Sequence, residues 1–473
     1  MNLNGASDLK MLSILKIPGF ILLFPFIFIS IALSSIDDLT KLLIWPTLSI
    51  AFIYVLFILI LSNQVKTNIL SEIGFIHFSF LIIYTLFPSL ILIFGALDEG
   101  SPLAWINPDT EDMANHLWRH VLFALGFAIS FILTRGKHSI KTSAPKRNLK
   151  YDNKIIFVSI LFLLLSSFAM IILAAPITDY YSNYTKFDHL PSLVRSLVSL
   201  AVRFNWGFTT ILVVFLFMNY HRYKILIPFV IVPLMALDLY ITAGARIQSF
   251  VMLASILCIY GIFIKQIQIF RFFVYAFLAL LAFIFLGIIR LSTGEVDIDF
   301  ASTLLTLGGE FGAVFYTGFV LYSDRAADSL PFVPNQMFFY DLWALMPFID
   351  ISSWTPMNWF HQNYHPEAPV PPFTLGPIAN SAIWGGEIDL IIRGIFSGIF
   401  FSTLTRVFNA NRNNWMIVLI YVFSFSTTIL IMKYSIFYHF QLILKTLLPV
   451  IFICWAISKI SFINTKFLIP KHD

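Results

Sequence analysis

Charge is scarce in this chain. Only 12% of its 473 residues are Asp, Glu, Lys or Arg, while 59% are hydrophobic and the mean hydropathy is +0.85. Soluble domains carry about 25% charge, so a soluble enzyme or nucleic-acid-binding protein is excluded. Cysteine is almost absent: Cys258 and Cys454 both fall in apolar stretches, which leaves neither a disulfide framework nor a thiolate metal site. Dyad alternation is lacking too, which excludes a transmembrane β-barrel. There is no phosphate-cradling glycine loop, no dinucleotide fingerprint and no Ser-His-Asp order, so a cytoplasmic nucleotide-sugar donor has no site.

What is present is a series of apolar blocks long enough to cross ~30 Å of hydrocarbon as helices. About twelve are expected, near residues 12–34, 42–62, 73–96, 118–134, 155–175, 193–218, 225–243, 247–264, 272–289, 385–405, 415–432 and 442–460. The fold class is therefore an all-α polytopic membrane protein. The first block follows Lys10 and Lys16 and has no small-x-small cleavage site, so it reads as a retained span.

Alternate sides of these spans hold unequal basic charge, nineteen of the thirty Lys and Arg falling on one side. That side, with Lys66, Lys137, Lys141, Lys150, Arg222 and Arg412 among others, is expected to be cytoplasmic, with both termini inside. Three regions follow: spans in 1–289, an external cap loop in 290–384, and spans in 385–473. The cap is rich in aromatics, including Trp343, Trp354, Trp359, Phe360 and Tyr364, and is expected to fold as short helices lying on the membrane. Within it, Ala301 to Tyr322 is apolar, but Gly308, Gly309 and Gly312 are expected to interrupt it, so it reads as an interfacial or re-entrant helix. No internal repeat stands out, which counts against a transporter.

Chemistry-bearing residues collect on the external side. Arg195 and Arg203 are eight apart and share one helical face. Arg246 follows Gly244 in a break between two spans, where free backbone N–H groups and a guanidinium suit a phosphate, and Arg290 leaves the ninth span. Arginines at span ends also simply snorkel to headgroups, but four against the basic-inside trend favour an anion site. Asp238 lies inside a span and reads as a structural partner for an arginine; His77 reads as a hydrogen-bonded core residue. The candidate bases are His365, Glu310 and Glu387. His361 and His365 have helical metal-ligand spacing, but Pro366 ends any helix there and no third ligand is spaced to help, so no metal and no cofactor are expected.

The topology of most of the chain, the Gly244-to-Arg246 turn, the Arg290 exit, the run from Asp341 to Pro347 and the stretch from Pro372 to Gly386 together resemble bacterial oligosaccharide repeat-unit polymerases, the O-antigen polymerase family. A histidine precedes the last motif in similar proteins, and His365 matches it. The family's common-antigen members carry arginine beside the equivalent of Glu310, where this chain has Gly309 and Phe311. The resemblance implies a membrane-embedded glycosyltransferase of the bacterial inner membrane. It implies undecaprenyl-pyrophosphate-linked oligosaccharides as donor and acceptor at the periplasmic face, and a chain-length regulator as partner. An O-antigen ligase, or from another class a lipid-linked oligosaccharide flippase, are the alternative readings.

Overall fold

A computed structural model describes residues 38–65, 69–93, 110–136, 149–174, 192–241, 246–265, 300–338, 340, 355–367, 374–434 and 436–459. These residues are helical, with short connections. In chain order the main helices are α1 (Asp38–Val65), α2 (Ile73–Ile93), α3 (Thr110–Arg135), α4 (Leu149–Ala174), α5 (Ser192–Met218), α6 (Leu226–Ile241) and α7 (Arg246–Phe263). Then come α8 (Phe300–Ala326), α9 (Pro356–Tyr364), α10 (Pro377–Trp384), α11 (Glu387–Ala410) and α12 (Trp415–Lys433). A last rod joins α13 (Ile436–Leu442), a π-helical turn (Ile443–Leu447) and α14 (Leu448–Lys459).

Seven helices among the described residues are long and apolar enough to cross a membrane: Leu42–Gln64, Glu111–Arg135, Asn153–Met170, Ser196–Met218, Glu387–Ala410, Trp415–Lys433 and Ile436–Ile457. The chain is thus a polytopic helical membrane protein. Two shorter apolar helices, Ile73–Ser89 and Met252–Phe263, fall on further expected spans. The expected spans near 12–34 and 272–289 lie outside the described residues. Helix α3 starts eight residues before the apolar block that announces it, because Glu111 and Asp112 sit in its first turn, where carboxylates favour the positive end of a helix.

The most extensive helix pair is α3 with α11, and the two run parallel. Arg119 meets Glu387 at one end and Thr134 meets Ser402 at the other, both pairs separated by 268 positions. Glycine makes this possible. A Cβ at Gly394 would stand 2.6 Å from the Phe123 carbonyl, and one at Gly398 would stand 2.5 Å from the Phe127 carbonyl and collide with Ser130. Small residues one turn apart let two apolar helices touch backbone to backbone, which substitutes for the missing hydrophobic drive in lipid.

At the Thr134 end lies a buried ion pair. Arg135 donates through Nη2 to Glu72 Oε1 at 2.5 Å and through Nε to Oε2 at 3.1 Å, with both side chains at most 1% exposed. Beside it Tyr421 donates its hydroxyl to Ser71 O (2.6 Å) and accepts from Ile73 N (3.2 Å), locking α12 to α2. Above this floor the core is aromatic, with Phe57, Phe78, Phe127 and Phe131 in mutual ring contact. His77 is buried in that core against Phe127 and Phe401, beside the backbone of Thr428.

The expected interruption at the glycines of 301–322 needs correction. Helix α8 runs without interruption for 27 residues through Gly308, Gly309 and Gly312, and is not a short element. Two glycines further along the helix sit in packed surroundings: Gly312 is buried, and a Cβ at Gly318 would press to 2.9 Å from His116 Cε1. Phe311 meets Tyr84 and Phe87 of α2, while Phe315 and Tyr322 meet His116, His120 and Arg119 of α3. On both partners these contacts lie far from the Glu72–Arg135 pair. Helix α8 therefore packs across the opposite end of the bundle.

Candidate functional site at the Arg119 end

The helix α8 carries the residues around which the described part of the site is built. Tyr322 lies under the Arg119 guanidinium, 4.2 Å from ring centroid to Cζ, and shares a 2.9 Å hydrogen bond with Ser381 of α10. Arg119 Nε donates to Glu387 Oε1 at 3.3 Å. Arg119 is 16% exposed and Glu387 58%, so one carboxylate faces outward while its cation is held from behind on an aromatic face. Six residues before Tyr322, the Tyr316 hydroxyl lies 3.3 Å from His365 Nε2. Two residues after it, Asp324 accepts from the Tyr364 hydroxyl at 2.5 Å.

Local sequence explains each placement. Thr355 caps α9 by accepting from Asn358 N, Pro356 opens the helix, and His365 closes it, its N–H donating to His361 O. Pro366 prevents continuation, so the sequence expectation that a helix ends there holds. Between α10 and α11 the chain reverses at Gly385–Gly386. Gly386 has φ +63°, and a Cβ there would sit 3.1 Å from Arg325 Nε. Arg325 in turn donates to Ala382 O at 2.7 Å. At the start of α10, Asn380 donates to Tyr434 O at the end of α12, and Gly376 rests on the Met432 carbonyl. The Pro372-to-Gly386 stretch thus sets the path of the chain into Glu387.

Electrostatics favour a neutral His365. Burial holds its pKa below the ordinary histidine value; Glu367, 3.9 Å from Nδ1, opposes that shift, and His361 adds to it. Glu387 keeps its charge partner on one oxygen and is otherwise exposed. A neutral imidazole and an exposed carboxylate on one helix-lined surface can both accept a proton.

Behind Arg119 lies a buried polar chain that the sequence reading missed. The Thr85 hydroxyl donates to Leu81 O at 2.9 Å, so at 2.8 Å it must accept from His120 Nδ1. His120 Nε2 then accepts from His116 Nε2 at 3.3 Å. This chain ties α3 to α2 directly beneath the arginine. Its visible signal is the i, i+4 spacing of the two histidines before an apolar block.

The expected residues are brought together only in part. His365 and Glu387 both attach to α8 through Tyr316 and, by way of Arg119, Tyr322. Glu310 is on α8 and Arg195 on α5, Arg246 opens α7, and Asp238 is on α6; the side chains of all four lie outside the described residues, as does Arg290 entirely. Arg203 is half-buried on α5, where its charge faces Tyr438 and Lys445. Arg119, which is not among the residues expected at the site, is the cation found at Glu387. Comparison of the chain with protein-family models, with curated proteins and with solved structures returned no match.

Proposed function

We propose that the chain joins lipid-linked oligosaccharide repeat units into a surface polysaccharide such as O-antigen, acting at the Arg119 end of the bundle. The carrying observation is the convergence on α8 of an arginine-held exposed carboxylate, Glu387, and a neutral histidine, His365. In this reading that end faces the periplasm and the Glu72–Arg135 end faces the cytoplasm of a bacterial inner membrane, as the basic count supports.

The chemistry is a single displacement class. An acceptor-sugar hydroxyl oxygen bonds to the donor's anomeric carbon, the bond from that carbon to the diphosphate oxygen breaks, and the diphosphate leaves with the electron pair. The hydroxyl proton goes to His365 or Glu387. Cationic groups stabilise the leaving diphosphate; Arg119 is the described one at the site, with Arg246, Arg290, Arg203 and Arg195 as the sequence-derived set. Glu310, six residues before Tyr316 on α8, stays a candidate base.

Deleting the gene in its native host tests the reading. Loss of a polymerase leaves surface lipopolysaccharide with one repeat unit; complete loss of repeats would assign a ligase, and repeats trapped inside the cell a flippase. Elongation by the purified protein on undecaprenyl-pyrophosphate-linked repeats is the direct assay, and none at all would overturn the proposal.

A further inference from the structure

Two partly buried cations, Arg203 and Lys445, come within electrostatic reach of each other on two packed apolar helices. Arg203 lies seven residues into the candidate span Ser196–Met218 and Lys445 nine residues into Ile436–Ile457, so they are about 10 and 13 Å along their spans. Gly207, one turn after Arg203, seats α5 on the last rod: a Cβ there would be 2.7 Å from Val450 Cγ2 and 3.1 Å from Thr446 O. That close approach sets Arg203 opposite the π-helical turn Ile443–Leu447, which carries Lys445. Such turns add a residue to a helix, alter the direction of its side chains and recur at functional sites. The charge of Arg203 reaches both Lys445 and Tyr438.

Neither cation has a hydrogen bond or ion pair among the described residues. Like charges held together in apolar surroundings without a counter-anion are costly, and a cation within a span marks a ligand path by default. The surroundings name the ligand's other half. Leu197 and Leu200 on α5 and Leu444 and Leu448 on the rod are exposed apolar side chains around the pair, as a bilayer-facing entrance requires.

We propose that Arg203 and Lys445 form a binding site for a phosphate group carried on a lipid, entered sideways from the bilayer between α5 and the π-helical turn. A planar guanidinium supplies paired donors to phosphate oxygens and the ammonium a point charge. The site stands on its own geometry; only the identity of the lipid as a polyprenyl carrier rests on the function proposed above.

The test titrates the purified 473-residue chain in detergent with undecaprenyl phosphate, phosphatidylglycerol and inorganic pyrophosphate, read by native mass spectrometry. Arg203→Gln and Lys445→Met are expected to weaken binding of a lipid phosphate at least tenfold. Both should also raise the melting temperature of the ligand-free protein, because each removes one of two repelling charges. Lys459→Met, at the far end of α14, should do neither. Preference for undecaprenyl phosphate identifies a polyprenyl carrier, equal binding of phosphatidylglycerol a general anionic lipid, and equal binding of inorganic pyrophosphate a free phosphate. Unchanged affinity for all three probes in both variants overturns the site and leaves snorkelling cations. If the charge-dependent binding holds but the wild type elongates no glycan, the site stands and the polymerase reading fails.

Discussion

Arg119 and Glu387 stand 268 positions apart in the chain and 3.3 Å apart in the fold, on two helices that run side by side in the same direction. The contact exists because glycines along α11 bring its backbone against α3 over the whole distance to Thr134 and Ser402. A carboxylate at the start of one helix is thereby delivered to a cation nine residues into another, and Tyr322 of a third helix supports that cation from behind.

That pairing predicts different responses in stability and in activity. Because Glu387 is mostly exposed, a double-mutant cycle of Arg119→Gln and Glu387→Gln read by thermal unfolding should give a coupling of about 0.2 to 1 kcal/mol. Elongation by either single variant should fall at least tenfold. Wild-type elongation by both would remove the pair from the site.

The α3–α11 seam should tolerate no side chain. Gly394→Ala and Gly398→Ala place a Cβ against backbone carbonyls that cannot yield without moving the helix, a change expected to cost about 1 to 3 kcal/mol. Ile392→Ala, on the exposed face of the same helix, should change the melting temperature little. Equal melting temperatures for the three variants would refute the packing.

For His365 the pH dependence has a definite sign. Its pKa is held below the ordinary histidine value, so it stays neutral at neutral pH and loses base function only as acid protonates it. The acid limb of the elongation profile should lie below the ordinary histidine range and disappear in His365→Gln. Glu367→Gln, which removes an opposing influence, should move the limb to still lower pH, and His361→Gln should move it upward. A limb that ignores both neighbours would assign it to another group.

Accessibility checks the orientation. In a background lacking Cys258 and Cys454, Gln362→Cys and Asn411→Cys are both on exposed positions, one near His365 and one after α11. An impermeant thiol reagent applied to intact cells should modify position 362 and spare position 411; the reverse pattern inverts the topology.

At the opposite end, removing one partner of the Glu72–Arg135 pair leaves a buried charge uncompensated. Glu72→Ala should destabilise by about 3 to 5 kcal/mol, and the double variant Glu72→Leu with Arg135→Met should recover most of the loss in a chemical unfolding titration. A double variant no more stable than Glu72→Ala would show that the pair does more than neutralise itself; Arg412, whose charge also reaches Glu72, is then the residue to vary.

Composition and apolar periodicity determined by themselves that this chain is helical and crosses a membrane many times, because a segment's transfer into hydrocarbon depends on its own residues. The end of α9 before Pro366 was legible for the same local reason. The expected interruption of α8 at Gly308, Gly309 and Gly312 does not occur, because a glycine lowers helix propensity by only about 1 kcal/mol and tertiary packing overrides it. Which arginine meets Glu387, which hydroxyl meets His365 and which cation confronts Arg203 were decided by the tertiary structure alone. Each pairs helices far apart in the chain, and their direction and depth of contact follow from close packing of small residues, which no local pattern specifies.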